Sequence, residues 1–167
     1  MIRLFIVLTI LTCCTLQYAK AQTKNNENIQ LKYGIYLKKI VPNFKEGKFD
    51  TILMLMNGIG VAGKLSNLKR TLEHAKKILN KGGSMYCDSS DVKYLYEEED
   101  GSYWLDLVSE YYGNFRFQMS YKQAKSAWFD WLYVDYDTLH QVATEVGFTA
   151  RKIHEDDNHF LAELTLN

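Results

Sequence analysis

The fold is decided by residues 49 to 60, which read Phe49-Asp50-Thr51-Ile52-Leu53-Met54-Leu55-Met56-Asn57-Gly58-Ile59-Gly60. The run from Ile52 to Met56 is continuously apolar and ends abruptly at Asn57-Gly58. Strands of a parallel sheet have this composition because helices cover both faces of the sheet. In open α/β sheets, ligands bind at the carboxyl ends of the strands. The loop that begins at Asn57 is therefore a candidate ligand site.

A helix and a second strand follow this loop. From Leu65 onwards, apolar residues recur at the spacing of a helix with one buried stripe: Leu68, Leu72, Ala75 and Leu79. Gly82-Gly83 predicts the end of that helix. Residues Ser84 to Cys87 predict a short strand, which leads into Asp88-Ser89-Ser90-Asp91. A strand, a crossover helix and a parallel strand close right-handed, so both polar loops are expected at the same edge of the sheet.

The composition limits the classes of protein that the chain can represent. Its 167 residues are enough for one domain with a normal core, and 47% hydrophobic residues are too many for a disordered chain. The 20 basic and 20 acidic side chains balance, so the chain lacks the basic footprint of a nucleic-acid binder. Three cysteines provide neither a disulfide framework nor the spacing of a metal site, and no metal is predicted.

Residues 1 to 22 differ in character from the rest of the chain. Arg3 gives a positive start, an apolar run extends from Leu4 to Leu11, and Ala19-Lys20-Ala21 has small residues where a signal peptidase cleaves. This layout predicts a signal peptide or apolar leader over 1–22, cut before Gln22 and too short for a comfortable permanent membrane span. The alternative is that Leu4 to Leu11 forms a buried strand of the same sheet as Ile52 to Met56.

The other predicted elements belong to a domain over residues 23–167. In chain order they are a strand over Ile35–Val41, antiparallel strands over Phe115–Tyr121 and Trp128–Val134, a helix capped by Asp135 or Asp137 that stops at Gly147, and a hairpin of Phe148–His154 with His159–Leu166. A strand-helix-strand unit followed by antiparallel pieces predicts a mixed α/β sheet with helices on both faces.

No complete catalytic signature is present in the sequence. The GxSxG, GxxxxGK[ST] and HExxH motifs are all missing. Gly58, Gly60 and Gly63 have the spacing of a GxGxxG motif, but the same glycines also suit a simple turn. Asp88 and Asp91 are candidates for an acid, a base or a cation ligand. Their alternative role is to shape the turn through local hydrogen bonds.

Residues Phe49 to Asp91 resemble the second half of a class I S-adenosylmethionine-dependent methyltransferase. In a bacterial subgroup of that family, the fourth strand is similar to residues 49–60, and the fifth strand ends in a sequence like Asp88-Ser89-Ser90-Asp91. The similarity extends over roughly residues 29 to 167. It includes Gly101-Ser102-Tyr103-Trp104, Glu110-Tyr111-Tyr112-Gly113 and Trp128-Phe129-Asp130-Trp131-Leu132. The resemblance implies a Rossmann-like three-layer sandwich whose last strand is antiparallel, in agreement with the terminal hairpin.

The chain departs from this family in its first half. The glycine-rich (D/E)xGxGxG loop that follows the family's first strand does not occur in the sequence. The third strand often ends in an acid near the adenine, whereas this chain has Ile40-Val41-Pro42 there. By this resemblance, residues 23–167 are a partial methyltransferase domain that lacks the family's first strand or strands, and the leader-like segment takes the place of the missing part.

The resemblance implies transfer of a methyl group from S-adenosylmethionine to a small-molecule or unknown acceptor. Met56, Asn57 and Gly58 would lie near the cofactor's methyl group. Asp88 and Asp91 would face the acceptor and take its proton or orient it. Without the glycine-rich loop, weak or no cofactor binding is expected.

The competing interpretation is a non-catalytic α/β remnant that is exported and serves as a binding or interaction module. The family resemblance predicts a cytoplasmic location, whereas a working leader predicts export.

Overall fold

The computed structural model describes residues 4–8, 48–104, 110–121 and 124–167. The predicted strand over Ile35–Val41 and the predicted cleavage before Gln22 lie outside these ranges. The described strands and helices are, in chain order, β1 (Leu4–Leu8), β2 (Phe49–Leu55), α1 (Leu68–Ile78), β3 (Leu79–Ser90), β4 (Asn114–Phe117), β5 (Ser120–Tyr121), β6 (Ala124–Lys125), β7 (Phe129–Leu132), α2 (Tyr136–Val146), β8 (Phe148–Asp156) and β9 (His159–Leu166).

Five strands form one mixed sheet in the order β1-β2-β3-β9-β8. Strands β1, β2 and β3 are parallel, whereas β9 is antiparallel to both β3 and β8. The predicted α/β class, with its mixed sheet and terminal antiparallel hairpin, is confirmed. Helices α1 and α2 contact one another and the sheet. The core lies between these helices and the sheet face that carries Ile52, Met54, Met85 and Leu164.

Strand β1 lies beside β2 in parallel register, from Leu4 opposite Thr51 to Leu8 opposite Leu55. In a doubly wound sheet of order 3-2-1-4-5-6, the fourth strand lies between the first and the fifth. If β2 is the fourth strand and β3 the fifth, a strand from the leader-like segment occupies the place of the first. This arrangement agrees with the alternative of a strand beginning at Leu4. Cleavage of the segment stays a prediction.

Helix α1 buries Leu68, Leu72 and Ala75 of the predicted stripe, and its fourth buried residue is Ile78 rather than Leu79. The expectation that the helix extends to Gly82-Gly83 is wrong, because Leu79 already has an extended backbone conformation (φ −85°, ψ 144°). Leu79 is fully buried and pairs with Phe49, so β3 begins there rather than at Ser84. Burying Leu79 in the sheet outweighs the continued helical spacing of the sequence.

Helix α2 has the predicted boundaries. The side chain of Asp135 caps its start by accepting a hydrogen bond from the Thr138 backbone N–H, and Gly147 ends it with a left-handed conformation at φ 100°. The hairpin that follows turns through Asp157, whose φ is 50°. Within the described ranges, no helix has the length and apolar character needed to cross a bilayer.

Candidate functional site

The chain reverses sharply at the carboxyl end of β2. Met56 (φ 66°) and Asn57 (φ 54°) both adopt the left-handed conformation, and a single 3₁₀ turn over Gly58–Ala62 follows. This conformation costs about 1–2 kcal/mol for a residue with a Cβ, although asparagine tolerates it better than most. We call residues 56 to 58 the carboxyl-edge turn. Two consecutive left-handed residues need interactions that keep them in place.

Asp88, near the carboxyl end of the neighbouring β3, supplies those interactions. Its Oδ2 accepts a hydrogen bond from the Met56 backbone N–H at 3.1 Å, and its Oδ1 accepts one from the Gly58 backbone N–H at 3.2 Å. The residue is only 8% exposed. Hydrogen bonds from backbone N–H groups to a carboxylate are about twice as strong as neutral ones. The buried carboxylate therefore holds the carboxyl-edge turn in its left-handed conformation.

Two further side chains close a ring around this contact. His159 Nε2 lies 3.2 Å from Asp88 Oδ2, and His159 Nδ1 lies 3.1 Å from Ser90 Oγ. Ser90 Oγ in turn lies 3.2 Å from Asn57 Oδ1. The antiparallel register of β3 and β9 places His159 directly opposite Ser90. The terminal hairpin is thus joined to the carboxyl-edge turn by side-chain hydrogen bonds.

Asp91 has different partners from Asp88. Its backbone N–H donates to the Asn158 carbonyl at 2.7 Å. Its Oδ1 accepts from the Lys93 backbone N–H at 2.9 Å and from the Tyr112 hydroxyl at 2.8 Å. The bond to Lys93 is the local turn-shaping contact that the sequence offered as an alternative. Asp91 therefore links the loop after β3 to the segment that contains Tyr112.

A second group of hydrogen bonds, which we call the tyrosine cluster, joins Tyr111 and Tyr112 to Asp91 and Asp135. The Tyr111 hydroxyl donates to Asp135 Oδ2 and accepts from the Asp135 backbone N–H at 3.0 Å. The Tyr112 hydroxyl lies 3.3 Å from Asp135 Oδ2. The cluster thus connects the loop after β3 to the start of α2.

The tyrosine cluster changes the acidity of its members. Burial raises the pKa of the Tyr111 phenol, and its hydrogen bond to Asp135 raises it further. Burial likewise raises the pKa of Tyr112, with Tyr111 and Asp91 adding to the effect. Burial alone would raise the pKa of Asp135, but hydrogen bonds from Tyr111 and Thr138 outweigh it and hold that pKa below its usual range. The phenols stay protonated donors and Asp135 stays an ionised acceptor.

The aromatic segment between β3 and α2 packs directly on the 3₁₀ turn. The indole of Trp131 covers Gly60, where a Cβ atom would lie 2.2 Å from Trp131 Nε1. The Leu65 backbone N–H donates to Asn114 Oδ1 at 2.9 Å. Gly60 is therefore required for close packing. In this structure the Gly58, Gly60 and Gly63 spacing belongs to a 3₁₀ turn rather than to the start of a helix.

The structure brings the five predicted site residues to one edge of the sheet. Asp88 contacts Met56 and Gly58 directly, and Asn57 joins through Ser90. Asp91 lies on the loop that leaves β3 but bonds to other partners. Within the described ranges, no group of His, Cys, Asp and Glu side chains has the arrangement of a metal site.

Sequence reasoning missed several contacts at this edge. The side chains concerned are Ser90, Tyr111, Tyr112 and His159, together with Asp135 in any role beyond helix capping. No local sequence pattern reveals this set, because the register that places His159 opposite Ser90 is established only in the folded sheet.

A buried strand, a crossover helix, a parallel strand and a terminal antiparallel hairpin agree with the class I S-adenosylmethionine-dependent methyltransferase fold. The comparisons with solved structures confirm this resemblance. The chain is 41% identical to a protein from Bacteroides fragilis, described as a SAM-dependent methyltransferase in complex with S-adenosyl-L-homocysteine, at a TM-score of 0.68. The match covers 75% of this chain and 52% of that one, so the chain spans about half the length of the solved methyltransferase.

Two more distant structures show the same fold. One is a S-adenosylmethionine-dependent methyltransferase from Clostridium acetobutylicum, with 10% identity, a TM-score of 0.50 and coverage of 76% of this chain and 62% of that one. The other is the CcbJ methyltransferase from Streptomyces caelestis, with 9% identity, a TM-score of 0.50 and coverage of 75% and 64%. No family model matches the chain, and no curated protein matches it.

Proposed function

We propose that this chain takes part in methyl transfer from S-adenosylmethionine to a small-molecule acceptor, and that the carboxyl-edge turn forms the methyl-side wall of the site. The observation that carries the proposal is the clamp between Asp88 and the backbone of Met56 and Gly58. It holds the turn at the carboxyl edge of two adjacent parallel strands, where α/β sheets bind ligands. The 41% identity to a methyltransferase crystallised with S-adenosyl-L-homocysteine supports the choice of cofactor.

The groups at this edge suit one side of such a cofactor. S-adenosylmethionine supplies an activated methyl group on a positively charged sulfur. The edge offers the half-exposed thioether of Met56, the amide of Asn57 and the carboxylate of Asp88. These groups are neutral or negative, so their electrostatic interaction with a cation is not repulsive. The fit covers the methyl side alone, because the sequence contains no (D/E)xGxGxG loop.

The roles of the two aspartates follow from their partners. Both oxygens of Asp88 accept hydrogen bonds from the carboxyl-edge turn, so Asp88 orients that turn. The hydrogen bonds described for the Asp91 carboxylate involve Oδ1, which leaves Oδ2 as the oxygen to face the acceptor. A carboxylate in that position would orient the acceptor or take its proton. Alignment of acceptor and methyl group is the main contribution that the protein makes to such a reaction.

Calorimetry with S-adenosyl-L-homocysteine tests this proposal. The chain is expected to bind it more weakly than micromolar, because the glycine-rich loop supplies many of the cofactor contacts in this family. The Asn57→Ala variant should bind more weakly still, whereas Asn80→Ala, at the opposite end of β3, should match the native chain. A micromolar dissociation constant would contradict the predicted weak binding of S-adenosyl-L-homocysteine but would still agree with a cofactor site at this edge. An absence of binding at millimolar ligand would contradict the function itself.

The proposed function also includes a cellular location for the protein. The family resemblance favours a cytoplasmic enzyme, since its cofactor is made in the cytoplasm. Mass spectrometry of the mature N-terminus in cell fractions checks this point. The proposed cytoplasmic methyltransferase predicts a chain that keeps residues 1–22 and stays in the cytoplasm, whereas a working signal peptide predicts cleavage before Gln22. A periplasmic chain that begins at Gln22 would separate the protein from its methyl donor.

A further inference from the structure

His159 belongs to a series of hydrogen bonds that joins Asp88, His159, Ser90 and Asn57. Each bond needs one donor hydrogen and one acceptor atom. Its Nε2 lies 3.2 Å from the Asp88 carboxylate, which only accepts hydrogen bonds when ionised. Its Nδ1 lies 3.1 Å from Ser90 Oγ, which has one hydrogen to donate. In the structure, Ser90 Oγ donates to Asn57 Oδ1 at 3.2 Å, so the carbonyl oxygen of this amide faces Ser90. The protonation state of the imidazole therefore determines the direction of two hydrogen bonds, the one between His159 and Ser90 and the one between Ser90 and Asn57.

In neutral His159, the single ring hydrogen is on Nε2 and points to Asp88. Nδ1 is then a bare acceptor, so the Ser90 hydroxyl donates its hydrogen to it. The oxygen of Ser90 can only accept from Asn57, which must turn its NH₂ group toward Ser90. The carbonyl oxygen of the Asn57 amide then faces away from Ser90, toward the candidate site.

In protonated His159, both ring nitrogens carry hydrogen. Nδ1–H donates a hydrogen bond to Ser90 Oγ. The Ser90 hydroxyl is then free to donate its own hydrogen bond to the carbonyl oxygen of Asn57. The NH₂ group of Asn57 then faces the candidate site. One proton on the imidazole thus exchanges an acceptor for a donor on the residue that is expected beside the methyl group.

We propose that His159 is a positioning residue that acts through Ser90 to set which atom of the Asn57 amide faces the ligand. The coupling itself stands on the hydrogen-bond geometry, whereas its effect on a cationic ligand rests on the proposed function. A carbonyl oxygen stabilises a nearby positive charge and an NH₂ group does not. The neutral imidazole is therefore the form that prepares the site for a sulfonium.

The surroundings of His159 permit such a change. Its side chain is 43% exposed, so protons exchange with solvent. The charged groups placed beside it are carboxylates: Asp88 on β3, at hydrogen-bond distance, and Asp156, which pairs with it in the register of β8 and β9. Histidine is the side chain that ordinarily changes charge between pH 5 and 8.

Nuclear magnetic resonance of the full chain, labelled with ¹⁵N, measures the coupling without any ligand. The ring nitrogens of His159 report its protonation, and the side-chain NH₂ signals of Asn57 report the amide. In the native chain, both sets of signals should shift with the same midpoint. In Ser90→Ala, His159 should still titrate while the Asn57 signals stay constant. His154→Gln, on the exposed part of β8, should preserve the native behaviour.

Two results would overturn the proposal. One is an Asn57 signal in the native chain that does not change while His159 titrates, a result that needs no variant to fold. The other is an Asn57 signal in Ser90→Ala that still follows His159.

The effect on a ligand is measured with sinefungin, a cofactor analogue that carries a cationic amine in place of the methyl sulfonium. The control is S-adenosyl-L-homocysteine, which has a neutral thioether at that position. Raising the pH through the His159 midpoint should tighten sinefungin binding about three- to tenfold, the effect of one hydrogen bond, and leave the control unchanged. Equal pH dependence for both ligands would refute the link to charge. Coupled signals without binding of either ligand would refute the proposed function and leave the coupling in place.

Discussion

The carboxyl-edge turn and the tyrosine cluster lie at neighbouring positions on the sheet edge but are stabilised in different ways. In the turn, the carboxylate of Asp88 binds backbone N–H groups, so the side chains of Met56 and Asn57 are not needed for the contact. In the cluster, the contacts depend on the hydroxyls of Tyr111 and Tyr112. A single aspartate is thus enough to fix the backbone geometry of the turn, whereas the geometry of the tyrosine cluster depends on hydrogen bonds among several side chains.

Replacement of Asp88 by alanine should have the largest effect. It removes two hydrogen bonds to a carboxylate and leaves the buried Gly58 N–H without its acceptor, so a loss of about 3–5 kcal/mol in the free energy of unfolding is expected. Urea denaturation followed by circular dichroism measures it. Glu99→Gln, in the exposed acidic loop, should change stability by less than about 0.5 kcal/mol. A loss below about 1 kcal/mol for Asp88→Ala would show that the turn is held by other contacts.

Replacement of Tyr112 by phenylalanine should have a smaller effect, because the other members of the tyrosine cluster remain. The loss of its hydrogen bond to Asp91 is expected to cost about 1.5–2 kcal/mol. The matched control is Tyr94→Phe, since Tyr94 is half exposed. Equal unfolding midpoints for the two variants would mean that the tyrosine cluster contributes no stability through this hydroxyl.

The pH dependence of the free energy of unfolding reports the contribution of the ionised Asp135 carboxylate in the tyrosine cluster. The pKa of Asp135 in the folded chain lies below its ordinary value of 3.8, so its contribution is present above that pH. It is lost as the pH falls through the lowered pKa, because the unfolded chain then binds the additional proton. Asp135→Asn, which can still cap α2, should lose less stability than the native chain as the pH falls below the ordinary aspartate pKa of 3.8. Parallel acid titrations of the two proteins would contradict this assignment.

An ion pair between the two helices should have the smallest effect. Lys69 Nζ lies 3.3 Å from Glu145 Oε2, with both side chains about half exposed. Solvent screens such pairs, so Lys69→Ala should cost no more than about 0.5 kcal/mol. Thermal unfolding of Lys69→Ala and Lys77→Ala should agree within that margin. A larger difference would show that the ion pair between the two helices contributes to stability as much as contacts at the sheet edge do.

The sequence was informative where local patterns decide the structure. The apolar run before Asn57 predicted β2 and its turn, and the spacing from Leu68 predicted α1. Asp135 and Gly147 predicted both ends of α2. Each of these signals acts within a few residues of the chain, where composition and spacing directly reflect burial and capping.

The rest depends on contacts between distant parts of the chain. The end of α1 was predicted too late because the pairing of Leu79 with Phe49 replaces a helical turn. The contact between His159 and Asp88 depends on a register 71 residues apart in sequence, which no local pattern encodes. The tyrosine cluster likewise joins three separate segments. The resemblance indicated which residues belong to one site but not how they bond to one another.

The most direct test of the central claim is photolabelling with S-adenosylmethionine that carries a tritiated methyl group. Cleavage after Lys48 and Lys64 releases residues 49–64, a peptide that contains β2 and the carboxyl-edge turn. We predict that ultraviolet irradiation places the label in this peptide, that excess S-adenosyl-L-homocysteine prevents it, and that Asp88→Asn reduces it while Glu99→Gln does not. Label confined to other peptides, or label in residues 49–64 that the competitor does not displace, would contradict the claim that this turn faces the methyl group.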